Sequence, residues 1–330
     1  MRVTRDILLN LARENAAKMA AKDRGIACLF ITGSLLEKDP FLGGVTDIDL
    51  FCIHDRPVTT AREIVRINAD VHLDLAHYEQ EDFAPARKLR SDPWLGGTLM
   101  RGPLVLHDPS HWFDFIRSTA TAQFNHPENV AARVRAFLAP ARQTWQALTD
   151  EAIPQGIKRS QALLEIIRNA AGAATSFTGA PLPPRRLFIE LPERCARAGM
   201  PEVAGNLVQA FTNEAITDEY WEEWLTGWES AFDLANALKK APATLSPTRK
   251  NYYLKAIKGL AQERPAAAIW LLLYTWVRLA ADLPKTEAPY KAWQSFSKQL
   301  TLDNKNLPAR LELLDATLDR LEESLERLRG

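Results

Sequence analysis

The stretch FITGSLLEKDPFLGGVTDIDLFCI (residues 30–53) reads as strand, Gly-Ser turn, loop and strand. Alternation along its second strand puts Asp47 and Asp49 on one face, with Ile48 and Leu50 on the other. Two like charges one pleat repeat apart repel, so a group of opposite charge is expected to face them. A hard cation such as Mg²⁺ answers that need, because it takes oxygen ligands and is commonly held by a few carboxylates plus substrate phosphates. The segment VHLDLAHY (71–78) adds Asp74, flanked by Leu73 and Leu75 much as Asp49 is flanked by Ile48 and Leu50. A third carboxylate on a neighbouring strand suits a two-metal site and supplies a proton acceptor. Asp70 shares the parity of Asp74 but reads as a turn residue at the strand's entrance. Gly33 allows backbone to come close to a ligand, and Ser34 offers an N–H and a hydroxyl to phosphate oxygens.

Outward from this stretch, short apolar runs at 26–32 (IACLFIT), 47–53 (DIDLFCI), 70–78 (DVHLDLAHY) and 103–108 (PLVLHD) predict strands. Helical spacing predicts a helix over 5–22 and another over TTAREIVRIN (59–68), with Thr59 or Thr60 as its N-cap. Beyond about residue 127 the period changes to roughly 3.6, and helical segments follow one another, broken by TGAPLPPRR, AGMPE, KKAPATLSPTRK and ADLPKTEAP. The expected fold class is α+β, with a small mixed sheet in a first domain (1–125) and an all-α helical bundle in a second (126–330). Trp221, Trp224 and Trp228 fall on one helix face and are expected in a packed interior. Leu311, Leu314, Leu318, Leu321, Leu325 and Leu328 fit either a coiled-coil seam or a terminal bundle helix, with the bundle favoured.

Composition narrows the classes of function. With 330 residues, 46% of them hydrophobic, the chain can bury a full core. Lys and Arg total 41 against 41 for Asp and Glu, which argues against a long nucleic-acid partner or an anionic lipid surface. The three cysteines, Cys28, Cys52 and Cys195, are scattered and read as buried thiols in a reducing compartment. The opening residues are charged and amphipathic, unlike a secretory signal, and AAAIWLLLYTWVRLAA (266–281) is too short to span a bilayer. The expectation is a soluble cytoplasmic protein without a membrane partner, compatible with a homodimer.

The set Thr32-Gly33-Ser34, a spacer over 35–46, then Asp47-Ile48-Asp49-Leu50 resembles the signature of the DNA polymerase β-type nucleotidyltransferase superfamily. Thr32 is less apolar than the residue usual there. The resemblance covers roughly residues 5–120, and a following helical domain is similar to the aminoglycoside nucleotidyltransferase-like branch. It implies that Gly33 and Ser34 hold a triphosphate, that Asp47, Asp49 and Asp74 bind two Mg²⁺ ions, and that Asp74 serves as base. The implied reaction moves a nucleoside monophosphate, AMP from ATP before other nucleotides, onto a hydroxyl of a small-molecule acceptor and releases pyrophosphate.

Other readings compete. The enzyme could act on protein or RNA, or the chain could bind nucleotide and regulate without turnover. Metal-dependent glycosyltransferases also use Asp-x-Asp, but after a longer nucleotide-binding region than the 46 residues that precede Asp47. Solvated edge carboxylates are the non-functional alternative, and the apolar first strand and the third Asp weigh against it. His72 shares the face of Asp74 while His77 points away, and neither is assigned a role. Lys158, Arg159, Arg185 and Arg186 are candidate triphosphate contacts, although a solvated face is the more ordinary place for such pairs.

Overall fold

The computed structural model describes residues 4–68, 70–212, 220–302 and 306–328. Its fold is α+β, with a mixed sheet in the N-terminal part and helices in the C-terminal part. Two compact units result, Met1–Ala132 and Arg133–Gly330.

In the first unit, α1 (Arg5–Lys22) starts at Thr4, whose side chain accepts the Ile7 N–H. The strands are β1 (Ile26–Thr32), β2 (Ile48–His54), β3 (Arg62–Arg66), β4 (His72–Glu79) and β5 (Leu104–His107). Their order in the sheet is β3-β4-β2-β1-β5, with β2 and β4 parallel and the other pairs antiparallel. β1 is apolar on both faces because both faces are covered. Leu29 and Ile31 join Leu8 and Ala12 of α1, whereas Cys28 and Phe30 join Phe113 and Ile116 of α3 (Trp112–Thr121), which follows the short α2 (Leu95–Met100).

The same alternation sorts β2 and β4. Ile48, Leu50, Leu73 and Leu75 pack on the α1 side. Phe51 stacks on Tyr78 and Phe30 on the α3 side, the face that Asp49 and Asp74 share by parity.

One expected helix is a strand. Residues 62–66 of TTAREIVRIN form β3, antiparallel to β4 with Arg62 opposite Ala76 and Ile64 opposite Asp74. Ala61, Ile64 and Val65 have helical spacing, but Ile64, Val65 and Ile67 are β-branched, and pairing with β4 outweighs so short a local preference. Arg62, Glu63 and Arg66 charge this edge strand, a pattern that disfavours edge-to-edge pairing. Asp70 lies in a turn, its N–H bound to Asn68 Oδ1.

The second unit is helical: α4 (Pro127–Thr149, most of it in this unit), α5 (Ile157–Ser176), α6 (Leu187–Arg197), α7 (Pro201–Gln209), α8 (Trp221–Ala237), α9 (Lys250–Glu263), α10 (Pro265–Ala280), α11 (Ala288–Gln299) and α12 (Leu307–Arg327). Trp224 and Trp228 are buried, and Trp228 Nε1 donates to Thr275 Oγ1 at 2.9 Å, so these two are core, whereas Trp221 at the helix start is half-buried. Leu311, Leu314, Leu318, Leu321 and Leu325 are buried within the unit, as in a bundle helix. All three cysteines are buried free thiols. Among the described residues no helix is long and apolar enough to cross a membrane.

Candidate active site

The carboxylates meet because of the sheet register. In the parallel ladder Asp49 lies directly opposite Asp74, and Asp47 sits one residue before β2. Donor oxygens of the three residues lie within 4.8 Å of one another. Asp47 and Asp74 are almost fully buried and Asp49 is half-buried. At such spacing each pair of unit charges repels by roughly 3–4 kcal/mol for an effective dielectric of about 20. Only compensating positive charge makes the cluster tolerable.

Part of that charge is Arg62, a residue the helical reading hid. From β3 its Nε and Nη2 reach diagonally across the ladder to both oxygens of Asp74, each at 2.6 Å. Its side chain is 45% exposed, so a long flexible cation holds a buried anion from the solvent side. The β-branched run Ile64, Val65, Ile67 was the signal that could have revealed a strand, and with it Arg62. His72, assigned no role from the sequence, also lies at the site on the strand face it shares with Asp74: its Nε2 is 3.8 Å from Asp47 Oδ2, with both side chains buried.

Gly33 stands beside Asp49, because Thr32 pairs with Asp49 across β1 and β2. Its φ of 76° with ψ of −160° is a conformation that favours glycine. A Cβ built on Gly33 would also overlap the Asp49 carboxylate, so the position excludes any side chain on two grounds. Ser34 opens a single 3₁₀ turn, Ser34–Leu36, and its hydroxyl meets that of Thr46 at 2.9 Å. That bond joins the start of the loop to its end, one residue before Asp47.

All five residues singled out in the sequence therefore lie together at one end of the sheet. The four basic candidates belong to the second unit, where each has neighbours of its own. Arg159 donates to the Ile153 carbonyl, and the Arg185 guanidinium lies 3.5 Å from the centre of the Tyr252 ring. Arg186 is 3.8 Å from Glu190, and Lys158 is exposed beside a shallow groove that also contains Glu165. For the three arginines these are contacts within their own unit.

An all-oxygen donor set suits Mg²⁺ or another hard cation, and the bare backbone at Gly33 makes room for the Asp49 carboxylate in that set. Asp74 qualifies on condition that it shares or exchanges its bonds to Arg62. No protein-family model matches the chain, and no curated protein matches its sequence.

Proposed function

We propose that the first unit is a Mg²⁺-dependent nucleotidyltransferase resembling the DNA polymerase β-type superfamily. It transfers a nucleoside monophosphate, AMP from ATP first, to a hydroxyl of a small molecule. The observation that carries this reading is the convergence of Asp47, Asp49 and Asp74 beside Gly33 and Ser34.

In this reading Asp47, Asp49 and Asp74 would hold the metal, which when bound neutralises the carboxylates and stabilises oxygens that gain negative charge. Gly33 lets the triphosphate approach the backbone, and the Ser34 hydroxyl donates to a phosphate oxygen. The acceptor hydroxyl oxygen bonds to the α-phosphorus while the bond to the bridging oxygen breaks. Pyrophosphate leaves with that electron pair, and the hydroxyl proton passes to Asp74. Arg62 pairs with Asp74 before substrate arrives. A phosphate then offers the guanidinium an equally good bidentate partner in two of its oxygens, which frees an Asp74 oxygen for the proton.

One observation favours a second reading, a nucleotide-binding protein without turnover: Arg62 already occupies both oxygens of the proposed base. The deciding experiment measures pyrophosphate release from ATP and Mg²⁺ across hydroxylated acceptors, with Asp49→Asn as the blank. Nucleotide binding, seen as a raised melting temperature, without release from any acceptor would favour the second reading. If ATP, GTP, CTP and UTP all leave the melting temperature unchanged at millimolar concentration with Mg²⁺, both readings fail.

A further inference from the structure

The other face of the same sheet carries a second convergence of donor atoms, of different chemistry. Cys52 and His54 follow the parity of Ile48 and Leu50 on β2, and His77 follows Leu73 and Leu75 on β4. Cys52 and His77 are directly opposite in the parallel ladder, toward the C-terminal ends of both strands. Cys52 Sγ lies 3.2 Å from His54 Nε2, which in turn lies 3.0 Å from His77 Nδ1. All three donor atoms fall within 4.8 Å of one another.

These spacings are close to those of a bound transition metal. With Zn–S near 2.3 Å and Zn–N near 2.0–2.1 Å, tetrahedral geometry separates sulfur from nitrogen by about 3.5 Å and the two nitrogens by about 3.3 Å. For the Cys52–His54 and His54–His77 pairs, expansion by a few tenths of an ångström would convert one arrangement into the other. The remaining ring nitrogens, His54 Nδ1 and His77 Nε2, are buried and have no hydrogen-bond partner among the described residues, none of which holds either ring in a tautomer that blocks the inner lone pairs.

The charged neighbours divide. Asp23 and Glu63 act on Cys52, and Asp23, Asp55, Arg56 and His77 act on His54. Burial, reinforced by Asp23 and Glu63, pushes the Cys52 thiol up to about 12, so the metal-free protein holds it as S–H. Binding of a divalent ion forms a metal–sulfur bond and releases that proton to solvent.

We propose that Cys52, His54 and His77 form a binding site for a borderline divalent transition metal, zinc by its ligand chemistry, with water in the fourth position. One sulfur and two imidazoles select against Mg²⁺, as the oxygen cluster on the other face selects for a hard ion. The site ties β2 to β4 at the end away from Asp47, Asp49 and Asp74. Half-buried His77 is its open side. The proposal does not depend on nucleotide chemistry.

Titration of the metal-free full-length protein with Co²⁺ tests it. The expected result is a thiolate-to-cobalt charge-transfer band in the near ultraviolet that saturates at one equivalent, disappears on adding Zn²⁺ and survives excess Mg²⁺. His77→Gln should weaken Co²⁺ binding by at least about tenfold, the loss that even changes beyond the ligands produce. Asp49→Asn should leave it unchanged. Circular dichroism establishes that each variant is folded. Should His77→Gln fail to fold, Cys52→Ala serves, since it must remove the charge-transfer band. No such band in the wild type at about ten equivalents, a site that saturates only with hundreds of equivalents, or a band that persists in Cys52→Ala, would overturn the proposal.

Discussion

Each unit sets one arginine against three carboxylates, with opposite consequences. In the helical unit, Arg142 of α4 reaches Asp315, Asp319 and Glu322 of α12, all within 3.0 Å. Those acids are spaced along one helix face and are 38–61% exposed, so each meets the guanidinium separately while water screens it from the others. Burial lowers the Arg142 pKa, but bonds from Glu322, Asp319 and Asp315 outweigh it and raise the pKa overall. In the sheet unit the acids converge, two of them are sealed from solvent, and Arg62 spends both of these bonds on Asp74. Equal numbers of charges thus make a strut in one place and the proposed cation site in the other. Convergence and burial decide which.

The comparison breaks most visibly at Asp49. Asp49→Asn should lower turnover by about 10²–10³-fold or more, the scale of losing one group that stabilises transition-state charge. Its melting temperature should stay level or rise slightly, because one member of a repelling cluster becomes neutral. A clear fall in melting temperature with activity retained would mean that Asp49 is structural.

Next in size is Gly33→Ala. Backbone strain and overlap with Asp49 should cost about 1–3 kcal/mol in urea unfolding and remove any Mg²⁺-dependent stabilisation. Unchanged stability would show that the Asp49 carboxylate can easily move aside.

Arg62→Gln sharpens the comparison. It should destabilise the metal-free protein by about 1–2 kcal/mol, less than a fully buried pair would, because Arg62 is partly exposed. Mg²⁺ should then raise the melting temperature of the variant more than that of the wild type, by filling the missing charge. Equal responses would argue that Arg62 and the cation do not share Asp74.

The smallest effect belongs to the strut. Arg142→Gln should cost about 1 kcal/mol, shrink with added salt and leave the Mg²⁺ response untouched.

The two arginines also mark how far a sequence can be read without its register. Strand parity was enough to place Asp47, Asp49 and Asp74 on one face and His77 on the other, because each inference stays within a single strand. Arg62 escaped, since five residues with both helical spacing and β-branched side chains are undecided until β4 lies beside them. The meeting of His77 with Cys52 and His54 likewise depends on a parallel register that joins residues far apart in sequence. In the helical unit the periodic leucines and tryptophans sufficed, because one amphipathic face is a local property.

The Ser34–Thr46 bond has a consequence for how this site could diversify. It fastens the loop at both ends, while Glu37, Lys38, Asp39, Gly43 and Gly44 face solvent. Loop length is thereby uncoupled from the carboxylates: each doubling of an unstructured insertion adds only about 0.6 kcal/mol of closure entropy. Evolution, or an engineer inserting a peptide between Gly43 and Gly44, has an interchangeable part mounted on the rim of a fixed carboxylate frame.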